Sequence, residues 1–517
     1  MNRRDFLRYS LGLGALGGSF YVLANTMPMN HGHGMMPMMA SSSPDNLMPF
    51  EAMPQGAALI NPLPQLANQS KEKGVFKAQL IAEPLKLVLA GGKETEFWAY
   101  NGQLPGPQIE VFEGDDVEIE FINRLPQPTT LHWHGLSVPN EVDGNPQDPV
   151  EPQSRRVYRF TLPKGSAGTY WYHPHPHHYV SEQVYKGLAG TLVVKSAEDP
   201  LAHLNEQHWV LSDLRLDANG VIPPNNMMDW MNGREGEFIL INGQYQPSIQ
   251  VKTDERIRIW NATSARYLRL KVEGVQWIVV GTEGGLLEKP RAAVDELFLA
   301  PAERVEVILQ GGTPHSVSLQ SLYYDRRKMM VQETPYDLTL AKIQVASVSL
   351  ALPERLRDLP PRVEPTVNRQ IRFSENMMNT NQMSGQMPMS HNMAANSTNN
   401  AIPPMMDGMF LVNGKSFDMN RVDFVVKQGE VEQWEIFNES HMDHPFHLHG
   451  TQFEVIERRL NGQVLLASDR ALKDVVNLQP YEKVIIRFKQ EHPGLKMYHC
   501  HILEHENLGM MGMFKVV

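Results

Sequence analysis

Three short elements recur along this chain in one order, three times over, and that repeat constrains the fold more than any other feature. The first reads FEGDDVEIEFIN at 112–123, VKTDERIRIWN at 251–261 and VKQGEVEQWEIFN at 426–438. Each copy is an acidic turn, an alternating run and a closing asparagine. The second reads PQSRRVYRF at 152–160, PAERVEVIL at 301–309 and PYEKVIIRF at 480–488. The third, NGQLPGP, NGQYQPS and NGKSFDM, starts at Asn101, Asn242 and Asn413. Period-two alternation with Gly, Pro and Asn punctuation predicts half-buried strands of β-sandwiches. The expectation is an all-β chain of three sandwich domains. A length of 517 residues agrees with that number, at about 100–200 residues per domain.

The boundaries fall at 74–197, 198–348 and 349–517. Residues 27–73, rich in Met, Pro, Ser and Asn without periodicity, read as a flexible arm. A Pro-rich stretch near 349–366 joins the second and third domains. An insertion over 375–409 then carries Met377, Met378, Met383, Met387, Met389, Met393, Met405, Met406 and Met409 among polar residues. Such a stretch is not expected to bury enough apolar surface to fold alone.

The first and third domains hold four histidine motifs: His132-Trp133-His134, His173-Pro174-His175, His444-Pro445-Phe446-His447-Leu448-His449, and His499-Cys500-His501 followed by His505 and Met510. Side chains alternate between faces along a strand, so Cys500 points one way and His499 and His501 the other. His505 and Met510 lie in the loop beyond and can return to the Cys500 side. Two imidazoles, a thiolate and a weak thioether make a blue-copper electron-transfer site, with His444 best placed to supply the second imidazole. Eight histidines remain, as four His-x-His pairs. Residues i and i+2 share a face of a strand, so four pairs meeting across a domain interface can hold three coppers. A lone His-x-His is often a surface coincidence, and zinc uses the same pairs. Four pairs beside a Cys–His–Met loop are a different matter, since their spacing satisfies every ligand count of a known metal-site type.

On these motifs the chain resembles the three-domain multicopper oxidases, the family of laccases, ascorbate oxidase and the bacterial copper-efflux oxidases, from about residue 75 to the C-terminus. The resemblance implies cupredoxin-like Greek-key sandwiches and four copper ions. It implies His444, Cys500, His505 and Met510 at the type 1 copper, and His132 and His447 at the type 2 copper. His134, His173, His175, His449, His499 and His501 would hold the type 3 pair. Electrons would pass from substrate through Cys500 to His499 and His501, and four would reduce O2 to water. Asp143 and Glu506 match acids that the family uses as proton relays; otherwise they are a solvated turn acid and a loop acid.

Composition narrows the rest. A net charge of -11 argues against a nucleic-acid partner. A single cysteine excludes an internal disulfide. Arg3-Arg4 before a weakly apolar run to Ala24 resembles a twin-arginine export signal over 1–26. That places the protein in the periplasm, handled by the twin-arginine machinery, and the run is too short to span a membrane. Thioethers select Cu(I), so the Met-rich insertion favours Cu(I) as substrate. The N-terminal MPMNHGHGMMPMM has the same character. Glu375, Met377, Met378, His441, Met442 and Asp443 are the candidate entry ligands. His391 sits within the insertion; His177 and His178 follow His175 in an extended run and are not read as active-site ligands, and His203, His208, His315 and His492 lack partners at ligand spacing. Three functions survive: a cuprous oxidase, a laccase-like oxidase of phenols and aromatic amines, and a copper-binding buffer without turnover.

Overall fold

A computed structural model describes residues 47–54, 58–312, 316–376 and 402–517. The export signal, Met377, Met378, the rest of the insertion through 401, His391 and His315 lie outside the described residues. Among the described residues, no helix is long and apolar enough to cross a membrane.

The chain forms three cupredoxin-like sandwiches in sequence. In the first, one sheet orders the strands Glu94–Tyr100, Val75–Val88, Asp116–Asn123 and Arg155–Thr161. The facing sheet orders Gly106–Phe112, Gly190–Lys195, Gly168–His173 and His132–His134. The second and third sandwiches each pair a seven-stranded with a five-stranded sheet. Their cores lie between the sheets, around Ile119, Trp133 and Tyr158, around Trp209, Ile257 and Trp277, and around Trp434, Phe446 and Ile486.

The sequence repeat is a structural repeat. Asp116–Asn123, Glu255–Asn261 and Val431–Asn438 each pair in parallel with the opening strand of their sandwich. Each pairs antiparallel with the strand of the second repeated element. The closing asparagines are buried and cross-link the loops beyond: Asn438 Nδ2 donates to the carbonyls of Met442, Leu478 and Gln479. The third element is a two-residue hairpin turn. Asn101, Asn242 and Asn413 have φ of 52°, 51° and 51°, each followed by a positive-φ glycine, as a type I′ turn needs.

Three expectations are corrected. Asp116–Asn123 and Val431–Asn438 alternate in burial, but Glu255–Asn261 is buried on both faces. Arg256 and Arg258 point into the junction with the first sandwich, where Glu306, Glu206, Asp199 and Thr169 receive them. The arm is not free from Leu47 onward: Met48 and Met53 pack among Phe97, Leu214 and Phe238, tying the first two sandwiches together. Irregular spacing hid those contacts from composition. The end of the insertion is core as well, since Met406, Met409 and Phe410 are buried in the third sandwich.

Candidate metal centres

Cys500 ends the strand Gly494–Cys500, and the flanking residues separate as strand alternation requires. Its thiol faces His444 and His505. The Nδ1 atoms of His444 and His505 are 3.3 Å apart, and Cys500 Sγ lies 3.4 Å and 3.9 Å from them. All three are fully buried, as is Met510, whose carbonyl accepts the Cys500 N–H. The histidines present Nδ1 because their Nε2 atoms are engaged elsewhere: His444 Nε2 with Ser440 Oγ at 2.8 Å, His505 Nε2 with the Met231 carbonyl at 3.1 Å. Met231 belongs to the helix Met227–Asn232 of the second sandwich. Burial pushes the Cys500 thiol up and both imidazoles down.

On the other side, the eight remaining imidazoles converge from the first and third sandwiches. His132 stacks on His449 at 3.9 Å, and His134 on His447 at 3.7 Å, so the two His-x-His pairs interleave. The ring nitrogens gather in sets: His134, His173 and His501; His175, His449 and His499; and His132 with His447 and His134. His175 Nε2 and His449 Nε2 each lie 3.2 Å from His499 Nε2, and His134 Nδ1 lies 3.2 Å from His173 Nε2. Burial drives His134, His173, His175, His447, His449 and His501 well below the ordinary imidazole range, and His499 down to about 3. Neutral imidazoles are the ligand form.

Carboxylates close the site. Asp143 is fully buried; burial pushes it up, but Lys496 and His132 outweigh that and hold it below the usual range. Its carbonyl takes His132 Nδ1 at 2.8 Å, and its carboxylate lies 3.6 Å from His449 Nδ1. Glu506 lies 3.1 Å from His499 Nδ1 and 3.5 Å from His175 Nε2. Burial, with Glu504 nearby, pushes Glu506 well above the carboxylate range. A cleft of about 1460 Å³ opens between the sandwiches beside Gly135, Ser137 and Gln452.

The substrate-side residues are split. Glu375 ends the strand Val367–Glu375; its Oε2 lies 2.8 Å from His441 Nδ1 and its Oε1 3.7 Å from His444 Nε2. Burial pushes Glu375 up, but its bond to His441 and the nearby His444 imidazole prevail and hold it at about 2. His441 is partly exposed, so this pair leads from the surface to the Cys500 cluster. Met442 and Asp443 do not join it. Met442 is fully buried in the third core, and Asp443 bonds Tyr324 and Asn477, with burial raising it to about 7. The bend before the strand His444–Leu448 carries Asp443 to Tyr324 of the second sandwich instead.

Two family models described as multicopper oxidase match residues 82–199 and 380–517. The multicopper oxidase mco of Staphylococcus aureus is 30% identical, over 88% of this chain and 91% of that protein. The chain belongs to the multicopper oxidase family. A solved multicopper oxidase from Campylobacter jejuni, described as a metallo-oxidase, is 49% identical with a TM-score of 0.86, covering 91% of this chain and 97% of that one. Family membership leaves the role open, because a Photorhabdus laumondii protein named cell division protein FtsP is 29% identical over 83% of this chain and 86% of that protein.

Copper, which the family implies, fits the residues present. The buried Nε2 atoms of His132 and His447, and both ring nitrogens of His501, have no hydrogen-bond partner. Buried polar atoms are almost always satisfied, so unpartnered ring nitrogens within ligand reach of one another, as those of His132 and His447 are, suit a metal. The multicopper oxidase site also uses residues that sequence reading missed. Asp474 offers its carbonyl to His447 Nδ1 at 2.8 Å and its carboxylate to His134 Nε2 at 3.1 Å. Lys496 is fully buried, 3.7 Å from Asp143. A charged residue inside a strand was the only available signal for Lys496; Asp474 had none.

Proposed function

We propose that this multicopper oxidase oxidises Cu(I) and reduces O2 to water, using four copper ions. His444, Cys500, His505 and Met510 hold the type 1 ion; His132 and His447 hold the type 2 ion. His134, His173 and His501 hold one type 3 ion, and His175, His449 and His499 the other. One observation carries the reading: Cys500 belongs to one cluster while its covalent neighbours His499 and His501 belong to the other. Copper bound there supplies one-electron acceptance at the thiolate and four-electron reduction of O2 among the imidazoles.

The chain's own groups do the rest. Glu506, 3.1 Å from His499 Nδ1 and 3.5 Å from His175 Nε2, and Asp143, 3.6 Å from His449 Nδ1, are the carboxyl groups placed to pass protons to the cluster. Cu(I) as substrate is supported by the His441–Glu375 pair at the head of the Met-rich insertion. It is supported too by the description of the Campylobacter jejuni relative as a metallo-oxidase. Export through the twin-arginine machinery to the periplasm belongs to the same reading.

Oxygen uptake by copper-loaded protein, with Cu(I) against a phenol, tests it. Cu(I) turnover that falls when 377–401 is deleted, while phenol turnover holds or rises, is the expected result. Fewer than four coppers per chain without blue absorption, or phenol turnover alone, would sink the proposal.

A further inference from the structure

The repeat supplies an internal comparison. The fourth position of its second element is a cation in every copy: Arg155, Arg304 and Lys483. In the first and third copies that cation is at the surface, beside Glu120 and Glu435 on the neighbouring strand. In the middle copy it is buried, 1% exposed, and leaves its own sandwich. Arg304 Nη1 and Nη2 donate to the two carboxylate oxygens of Asp474 at 2.6 Å and 2.5 Å. Its Nε donates to the Thr169 carbonyl at 2.9 Å, and Nη1 also to the Ala302 carbonyl. Thr169 is in the first sandwich, Asp474 in the third.

Asp474 orients two imidazoles from different domains, His134 by its carboxylate and His447 by its carbonyl. The carboxylate fixes the proton of His134 on Nε2 and leaves Nδ1 free, the atom that faces His173. The fork of Arg304 fixes that carboxylate in turn, and bidentate guanidinium–carboxylate pairs are directional as well as strong. Space is matched to the pair: Gly135, next to His134, has φ of +88°, and a Cβ there would overlap Asp474 Oδ2 and crowd Arg304 Nη2.

We infer that Arg304 is a positioning residue for the histidine cluster, so that the sandwich without copper ligands sets the geometry of the metal site between the other two. The inference rests on the ligand roles proposed above.

The test is Arg304→Gln and Arg304→Lys in full-length protein, with Arg155→Gln and Arg256→Gln as controls. Arg256 is also buried in the middle sandwich, but its partners are Asp199, Glu206 and Glu306, away from the imidazoles. Copper per chain, type 3 absorption, blue absorption and the melting point of copper-free protein are read together. R304Q should weaken copper at the histidine cluster about 10–100-fold. It should lose type 3 absorption while keeping blue absorption, with R304K between it and wild type. R155Q should match wild type. R256Q should lower the melting point without selective spectral loss. Wild-type type 3 absorption and copper content in R304Q would overturn the inference, as would type 3 and blue losses in equal proportion. Should R304Q fail to fold, R304K decides on the same signals. Missing type 3 absorption in wild type would instead defeat the ligand assignment itself.

Discussion

Replacing Glu375 with glutamine tests how electrons enter. The side chain is 5% exposed, with one oxygen on His441 and the other towards His444 Nε2. Glutamine keeps its shape and removes its charge. Charge-assisted hydrogen bonds are about twice as strong as neutral ones, so the change removes about 1–2 kcal/mol, a factor of about 5–30. The chemistry decides where that loss appears. Carboxylate and imidazole suit Cu(II), whereas thioethers hold Cu(I). Glu375 therefore favours the oxidised product, and its loss falls on kcat rather than on capture. Expected for E375Q is a 5–30-fold lower kcat for Cu(I), little change in KM, intact blue absorption and normal turnover of an organic donor. With the wild-type carboxyl held near about 2, this interaction persists until the pH approaches that value. Oxygen uptake under saturating and limiting Cu(I) measures both parameters. An equal fall in kcat for Cu(I) and the organic donor would refute the reasoning, placing the effect at His444 instead.

Cys500→Ser should remove the blue absorption and substrate-driven oxygen uptake while the imidazole cluster still takes up copper, read as metal per chain. Glu306→Gln should destabilise the junction of the first two sandwiches by about 3 kcal/mol, because it leaves Arg256 and Arg258 short of a buried partner. The sign follows from Glu306's lowered pKa: its contribution is present above the unfolded value of about 4.3 and is lost as pH falls below it. Urea unfolding from neutral to acid pH should therefore show wild type converging on the variant. Gly144→Ala should cost more than about 1 kcal/mol, since φ is +76° and a Cβ would overlap the Leu131 carbonyl beside His132. A lower melting point of copper-free protein, with weaker copper uptake, checks it.

Much of this protein was legible in the chain itself. Alternating strands, Asn-Gly hairpins and i, i+2 histidines are codes read over a few residues, so the sequence determined the three sandwiches and the separation of Cys500 from His499 and His501. Long-range encounters were not legible. His134 and Asp474 are 340 residues apart, and Arg304 and Asp474 170. No local pattern marks an aspartate that orients two imidazoles or a repeat-position arginine that turns inward. Tertiary structure also decided how the imidazoles divide into sets, the burial of both faces of Glu255–Asn261, and the parting of Asp443 from Glu375. Ligand identity is written in residue type and spacing; ligand orientation depends on which buried charge the neighbouring domain brings within hydrogen-bond reach.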